Sequence, residues 1–238
     1  GFLSGSRVQP GFPKIKGTFV DGASNHRGDG LFTSGSFTYE GLYKYELPPS
    51  GSQSLMRMHV TGASSPNIKE AVVVNLVSDP ADNNKLNLFI RDDNETTGNS
   101  LKHLFLTGVN IYDEDMWHIS FGRKAAHDIG DTSRSTFFLR AAKQEGGEVL
   151  VQYQTSSHYD DPTNSVFTKA TKNQNASGSF LVIGRQTFRN GGVNKFLNDT
   201  STKVPELARS SSFDGLVTNC LFWSKFITEK EWPEHVKN

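Results

Sequence analysis

Apolar and polar residues alternate with a period of two along most of this chain, which is the period of a half-buried β-strand. In SFTYEGLYKYE, residues 36–46, the aromatic side chains share one face and Thr38, Glu40 and Lys44 share the other. Turn-forming clusters such as PPSGS, SDPADNN and KQEGGE separate segments of this kind. The pattern predicts strands over Ser36–Glu46, Leu55–Val60, Ala71–Val77, Lys85–Arg91, Met116–Arg123, Ser135–Arg140, Glu148–Gln154, Ser179–Gly184 and Phe213–Trp223. About ten to twelve short strands at this spacing predict an all-β, two-sheet antiparallel sandwich.

One short helix is predicted at the C-terminal end. Thr228 precedes Glu231 by three residues, the spacing of a capping box, and Ile227 and Trp232 occupy the flanking staple positions. Pro233 removes a backbone donor, so we expect one or two turns only. Two polar stretches, Ser156–Gly178 and Arg189–Ser212, lack a strand pattern and are expected to be long loops.

The composition argues against nucleic acid binding and against membrane insertion. The 25 Lys and Arg residues balance 25 Asp and Glu residues, so the chain lacks the excess positive charge that nucleic acid binding requires. Its apolar runs, such as LFLTGVNIY, are far shorter than the roughly 18 residues of a spanning helix, so membrane insertion is not expected. Cys220 is the single cysteine and is expected to be a small buried apolar side chain. The chain starts at Gly1 without an initiator Met, which favours a processed product or a segment of a longer protein.

Two segments carry a resemblance to a known family. MWHISFGR contains a Trp117–His118 strand, and the C-terminal stretch contains Phe213-x-Gly215, Phe222–Trp223 and the Ile227–Glu231 helix start. In these features the sequence resembles the laminin G-like branch of the concanavalin A-like lectin superfamily. The resemblance implies a jelly-roll sandwich from about Gly17 onward, with residues 1–16 as an N-terminal lead segment and 17–238 as the domain. Leu216, Asn219 and Cys220 depart from the polar and β-branched alternation usual in the last strand of such domains.

The segments SGSFLVIGRQ and FWSKFITEKEWPEHVKN also resemble segments of domains in structural proteins of tailed bacteriophages, especially cyanophages. This resemblance implies an adhesion module on a virion fibre or other appendage, which contacts other virion proteins and host surface polysaccharide and can form a homo-oligomer within a fibre. Two alternatives stay open, a purely structural virion domain that makes protein–protein contacts and a secreted laminin G-like adhesion module. The expected location is accordingly the virion surface or, for the last alternative, the extracellular space.

No catalytic motif is found, although the superfamily includes glycoside hydrolases. Those enzymes need two carboxylates about 5 Å apart, conveniently supplied by one strand, and no strand here carries such a pair. The acidic cluster Asp113–Asp115 is expected to be a solvated turn before Trp117, and His118 is expected to lie on an outer sheet face. Zinc, nucleophile-elbow and phosphate-loop motifs are also missing. We therefore expect a protein that is not an enzyme.

Calcium is the cofactor that the superfamily resemblance implies, since such domains often bind it through loop carboxylates and carbonyls. Three loops offer hard oxygen ligands of the required kind. The candidate metal ligands in these loops are Asp79, Asp82, Asp128, Asp131, Asp160 and Asp161. Each of these loops can equally be a turn, because Asp, Asn and Pro are the usual turn residues.

For sugar binding, the useful combination is an aromatic face beside Asp, Asn or Arg side chains that hydrogen-bond hydroxyl groups. Two of the expected loops offer this combination. The candidate carbohydrate-binding residues are Tyr159, Asp160, Asp161, Phe188, Arg189 and Asn190. The stripe of Tyr39, Tyr43 and Tyr45 is a more prominent aromatic pattern than either loop, but aromatic residues that alternate along a strand usually form the core. We therefore favour the loop residues.

Overall fold

A computed structural model of the chain describes residues 3–4, 15–16, 36–45, 51–61, 70–80, 84–91, 101–125, 134–160, 178–184, 211–223 and 225–237. The strands are β1 (Leu3–Ser4), β2 (Ile15–Lys16), β3 (Phe37–Lys44), β4 (Gln53–Thr61), β5 (Glu70–Asp79), β6 (Lys85–Arg91), β7 (Leu101–Leu106), β8 (Trp117–Lys124), β9 (Arg134–Glu145), β10 (Glu148–Asp160), β11 (Gly178–Ile183), β12 (Ser211–Ser212) and β13 (Leu216–Trp223). The helix α1 (Trp232–Lys237) follows.

Two antiparallel sheets form the domain. One sheet has the strand order β1-β13-β3-β8-β9-β10, and the other has the order β2-β11-β4-β5-β6-β7, with β12 parallel to β4. This architecture confirms the predicted two-sheet antiparallel jelly-roll sandwich with one short C-terminal helix. Within the described residues, no helix is long and apolar enough to cross a membrane.

The core lies between the inner faces of the two sheets and contains the predicted tyrosine stripe. Tyr39, Tyr43 and Tyr45 are each at most 1% exposed. Their hydroxyl groups are satisfied inside the core, since Tyr39 and Tyr43 share a hydrogen bond of 2.6 Å and Tyr45 bonds Ser78 of β5. The interpretation of this stripe as core is therefore confirmed. Cys220 packs against the same core, partly buried, with its sulfur 3.5 Å from the Tyr39 hydroxyl.

A second apolar cluster lies on the outer face of the six-stranded sheet, where α1 packs. It joins Ile227, Trp232 and Val236 to Ala142 of β9. The predicted capping box is present, because the Thr228 amide donates to Glu231 Oε2 at 2.8 Å and the Glu231 amide donates to Thr228 Oγ1 at 3.2 Å. Both staple residues are at most 1% exposed, so the predicted helix start is confirmed.

One glycine is required by a close approach between β3 and β8. A Cβ atom on Gly122 would lie 2.2 Å from the Phe37 carbonyl oxygen and 2.7 Å from the Phe138 ring. Both partners are buried, so neither can move away without cost. Gly122 thereby lets strand β8 and the Phe138 side chain pack closely on the outer face.

Two sequence predictions need correction. Residues 156–160 of the expected loop Ser156–Gly178 belong to β10, which pairs with β9 as far as Asp160. Strand β7 is absent from the predicted strands, yet it pairs with β6 along its whole length. Residues 161–177 lie outside the described residues, as does the stretch Arg189–Ser212 except for the two residues of β12.

The lead segment predicted for residues 1–16 contributes backbone to both sheets. Strand β1 pairs with β13 in one sheet, and β2 pairs with β11 in the other. The division between a lead segment and a domain at residue 17 stays a prediction.

Candidate functional site

A groove of about 750 Å³ lies on the outer face of the six-stranded sheet, beside α1. Strand alternation puts Glu40 and Leu42 of β3 and His118 of β8 on this face, because their neighbours Tyr39, Tyr43 and Trp117 point into the core. Leu221 of β13 lies opposite Glu40 across the pair β3–β13. The groove is lined by Glu40, Leu42, Asp115, Met116, His118, Ala142, Lys143, Gln144, Glu145, Leu150, Asn219, Leu221, Trp223, His235 and Val236.

Glu40 forms the buried polar centre of the groove. Its side chain is 1% exposed. Oε2 accepts a hydrogen bond of 2.7 Å from the Trp223 indole N–H and lies 2.9 Å from His235 Nδ1. Oε1 lies 3.8 Å from His118 Nε2, and within the described part of the chain this oxygen has no hydrogen-bond partner. A buried carboxylate with one oxygen held and the other unsatisfied is expensive unless something else binds there.

His118 lies between Glu40 and the helix. The Trp232 indole N–H donates to His118 Nδ1 at 3.2 Å, so Nδ1 is an acceptor and the ring proton is carried by Nε2 on the Glu40 side. Burial lowers the pKa of His118 to about 4; Glu40 opposes this shift and His235 adds to it. His118 is therefore neutral near pH 7. Its predicted place on an outer sheet face is confirmed.

Arg140 fixes the helix against the sheet next to the groove. Its guanidinium is enclosed by the rings of Phe138, Phe226 and Trp232, with centroids 4.3, 5.5 and 5.5 Å away. It also donates a hydrogen bond of 2.8 Å to the Ile227 carbonyl. Burial lowers the pKa of Arg140 to about 10, so the group stays charged at neutral pH. This contact sets the position of α1 and hence of His235.

The rim of the groove is the predicted acidic turn before Trp117, and an ion-pair network connects this turn to β9. Lys143 Nζ lies 2.9 Å from Asp113 Oδ2 and 2.7 Å from Asp115 Oδ2. The Trp117 indole N–H donates to Asp113 Oδ1 at 2.9 Å. Burial raises the pKa of Asp113, but the hydrogen bonds from Lys143 and Trp117 outweigh burial, so this pKa lies below its ordinary value. The turn itself is confirmed, and its charge is paired.

A β-bulge shapes the β13 wall. The register between β13 and β3 shifts between Thr218 and Leu221, and Asn219 has a positive φ of 48°. The bulge falls at Asn219 and Cys220, two of the residues that depart from the last-strand pattern of the domains that the sequence resembles. It lets Cys220 face the core while Asn219 and Leu221 both line the groove.

The structure places Tyr159 in strand β10, not in a loop. Its ring is partly buried, packs 5.7 Å from the Phe137 ring, and its hydroxyl donates to the His103 carbonyl at 3.4 Å. Tyr159 therefore links β10 to the edge of the other sheet. The backbone of Asp160 ends β10. The other carbohydrate-binding candidates, Asp161, Phe188, Arg189 and Asn190, lie outside the described residues, so this prediction stays a prediction.

The calcium prediction also stays a prediction. Of its six candidate ligands, the structure describes the side chain of Asp79, which ends β5 opposite Lys85. Asp82, Asp128, Asp131 and Asp161 lie outside the described residues, and only the backbone of Asp160 lies within them. Among the residues that the structure describes, no group of three His, Cys, Asp or Glu side chains is placed to hold a metal ion.

A row of rings that the sequence pattern did not predict lies on the outer face of the other sheet. His103 stacks on Phe89 with centroids 4.4 Å apart and lies 5.3 Å from Phe105, which is 46% exposed. His103 Nε2 contacts Asn87 Oδ1 at 2.8 Å. The sequence feature that could have indicated this row is the alternation in β7, where His103 and Phe105 face outward and Leu104 and Leu106 face the core.

Comparisons with known proteins give distant similarities. No family model matches the chain, and no curated protein matches it. Among solved structures, the CBM40 of the Ruminococcus gnavus IT-sialidase is 12% identical with a TM-score of 0.47, over 87% of this chain and 85% of that chain. The leech intramolecular trans-sialidase is 12% identical with a TM-score of 0.46, over 87% of this chain and 24% of that chain. Tailspike protein 2 of the Escherichia coli O157:H7 bacteriophage CAB120 is 14% identical with a TM-score of 0.45, over 87% of this chain and 22% of that chain. The chain thus spans about a quarter of the last two proteins, and none of these similarities assigns a family.

Proposed function

We propose that this chain is a non-catalytic carbohydrate-binding module and that the outer-face groove is its glycan site. The observation that carries the proposal is Glu40, a carboxylate 1% exposed whose Oε1 has no hydrogen-bond partner among the described residues. Oε1 is closed off from solvent, so a hydroxyl group reaches it only if a lining side chain shifts, and it would then donate a charge-assisted hydrogen bond to this oxygen. Sugar hydroxyls are donors of this kind.

The rest of the groove can contact both the apolar C–H face and the hydroxyl groups of a sugar ring. Apolar side chains face it from three strands, namely Leu42, Leu150 and Leu221, of which the last two are 55% and 46% exposed. These side chains can cover the C–H face of a pyranose. The amides of Asn219 and Gln144 are both exposed at the groove and can donate to or accept from hydroxyl groups. A few convergent polar groups within an apolar surface are typical of small-molecule sites.

The carboxylates of the groove support a binding role over hydrolysis. Hydrolysis requires a second free carboxyl group opposite the first. Asp115 is bound to Lys143 at 2.7 Å, and Glu145 lies exposed at the end of β9. Glu40 itself is held by Trp223 and His235. Release of reducing sugar from a bound polysaccharide would overturn the non-catalytic part of the proposal.

We place this module on the appendage of a tailed phage, in line with the resemblance of its sequence, where host surface polysaccharide is the glycan and other virion proteins are the neighbours. A second candidate function is a protein–protein contact on the same face. The exposed Leu150 and Leu221 favour it, since two large apolar side chains flank the groove. A secreted adhesion module would use the same groove chemistry in another setting.

The test is a glycan and polysaccharide binding screen with the wild type and three variants. Glu40→Gln removes the carboxylate, and Leu221→Arg fills the groove from an exposed position. Phe105→Ala is the matched control, because Phe105 is 46% exposed like Leu221 but lies on the other sheet. We expect binding by the wild type and the control, and at least a tenfold loss in the two groove variants.

Two results would count against the groove. Loss of binding in Phe105→Ala alone would move the glycan site to the ring row on the other sheet. No glycan binding by a wild type shown by circular dichroism to be folded would reject the carbohydrate proposal and leave the protein–protein function.

A further inference from the structure

We infer that the groove selects neutral glycans and rejects those that carry carboxylate groups, such as uronic or sialic acid residues. This inference rests on the proposed function and adds the class of ligand. The observation behind it is the distribution of charge around Glu40 in the described part of the chain.

The groove lining carries more negative than positive charge. Glu40 lies at its centre, and Asp115 and Glu145 lie on its rim, against the single fixed cation Lys143 among the described lining residues. His118 accepts the Trp232 N–H at Nδ1, which keeps its ring uncharged. His235 adds a positive charge only when it is protonated, and its Nδ1 is already 2.9 Å from Glu40 Oε2.

The cations near the groove are engaged elsewhere. Lys143 gives two of its three N–H donors to Asp113 and Asp115, whose two negative charges outweigh its own, so it offers a ligand carboxylate little net attraction. Arg140 is 2% exposed, lies behind three aromatic rings and donates to the Ile227 carbonyl. The described lining therefore offers no unpaired Lys or Arg for a bidentate contact, which is the usual way to recognise a carboxylate.

A carboxylated sugar would instead bring a second negative charge close to Glu40. Like charges a few ångströms apart in a partly dehydrated groove repel strongly, and specificity against a ligand is commonly built in this way. A neutral sugar has no such penalty, and one of its hydroxyl groups can donate to Glu40 Oε1 once a lining side chain shifts. The geometry thus favours a hydroxyl-rich neutral glycan over its acidic counterpart.

The experiment compares one polysaccharide in two charge states. Oligogalacturonate and the oligogalactan obtained from it by chemical reduction of its carboxyl groups have the same linkage and length. Titration calorimetry with both ligands, and with the corresponding mannuronate and mannan pair, measures the preference of the wild type. If either pair binds, we expect its neutral, reduced member to bind at least about tenfold more tightly than its acidic member. The affinity of the neutral member should depend little on salt.

Two variants show whether the groove causes the preference. Glu40→Gln and Glu145→Gln each remove one negative charge, and each should lower the ratio of neutral to acidic affinity. Phe105→Ala should keep the wild-type ratio. Equal or tighter binding of the acidic member would overturn the inference while leaving the proposed glycan function standing. If a folded wild type binds neither these pairs nor any other glycan, the proposed function fails, and the inference fails with it.

Discussion

The indole N–H of Trp232 donates a hydrogen bond to Nδ1 of His118 across 3.2 Å, and both side chains are buried where α1 meets β8. A proton on His118 Nδ1 would break this bond, since both partners would then be donors. The contact between helix and sheet thus depends on a neutral imidazole, and its strength depends on pH.

The first prediction is that acid weakens the fold through His118. The unfolded chain binds this proton with a pKa near 6.5 and the folded chain with a pKa of about 4. The unfolded state therefore holds more protons between these values, and stability falls as the pH is lowered through this window, by on the order of 3 kcal/mol in total. Urea unfolding of the wild type and His118→Gln from pH 7 to pH 4 measures the difference, and carboxylate titrations common to both cancel. The same pH slope in both proteins would contradict the prediction.

The second prediction concerns the two indole–carboxylate hydrogen bonds. Trp223→Phe keeps most of the ring but removes the donor to the buried Glu40, so we expect a loss of about 1–3 kcal/mol in the free energy of unfolding. Trp117→Phe removes the donor to Asp113, which is partly exposed and keeps Lys143 as a partner. The hydrogen-bond part of the loss should therefore be smaller for Trp117→Phe, but Trp117 is a buried core ring, so this variant also leaves a cavity and its total loss does not measure the bond. No loss of stability in urea unfolding of Trp223→Phe would mean that Glu40 is not held as described.

The third prediction tests the close approach at Gly122. Gly122→Ala would place a methyl group 2.2 Å from the Phe37 carbonyl oxygen, so β3 and β8 would have to separate. We expect a loss of at least about 2 kcal/mol, as for overpacked cores. Gly51→Ala is the matched control, because a Cβ atom there meets nothing within 4 Å. Thermal unfolding of both variants provides the comparison, and equal melting temperatures would refute the steric argument.

The fourth prediction separates the groove from the loops proposed to bind calcium. Glu40 Oε2 is already bound by Trp223 and His235, so glycan binding in the groove should be the same in calcium and in chelator. Binding curves in the two buffers give the answer directly. Saturable binding that disappears in chelator, and also in Asp79→Asn or Asp82→Asn, would place the glycan site at a calcium loop instead.

The sequence predicts much of the architecture because apolar residues recur at every second position along β6 and β8, namely Leu86, Leu88 and Ile90, and Trp117, Ile119 and Phe121. Strand β7 escapes prediction because Leu104, Phe105 and Leu106 form one continuous apolar run, although Phe105 faces outward and its neighbours face the core. Residues 156–160 read as a loop because they are polar, and their strand conformation comes from pairing with β9.

The contacts of the candidate site could not be predicted from the sequence. Alternation puts Glu40 on the outer face of β3, but its partners Trp223 and His235 are 183 and 195 residues away in the sequence. The pairing of β13 with β3 brings Trp223 to Glu40, and the packing of α1 on the sheet brings His235. No local pattern encodes either contact. The bulge at Asn219 is a partial exception, since its departure from the usual alternation was visible in the sequence.

The six residues of α1 are too few to hold a helix by their own hydrogen bonds. Its order comes from Trp232, Val236 and the guanidinium of Arg140, all buried at the sheet. The helix therefore has no independent unfolding step. In native-state hydrogen exchange, the α1 amides should exchange together with those of β8 and β9, at a rate set by opening of the whole sheet, although they lie at the C-terminal end of the chain.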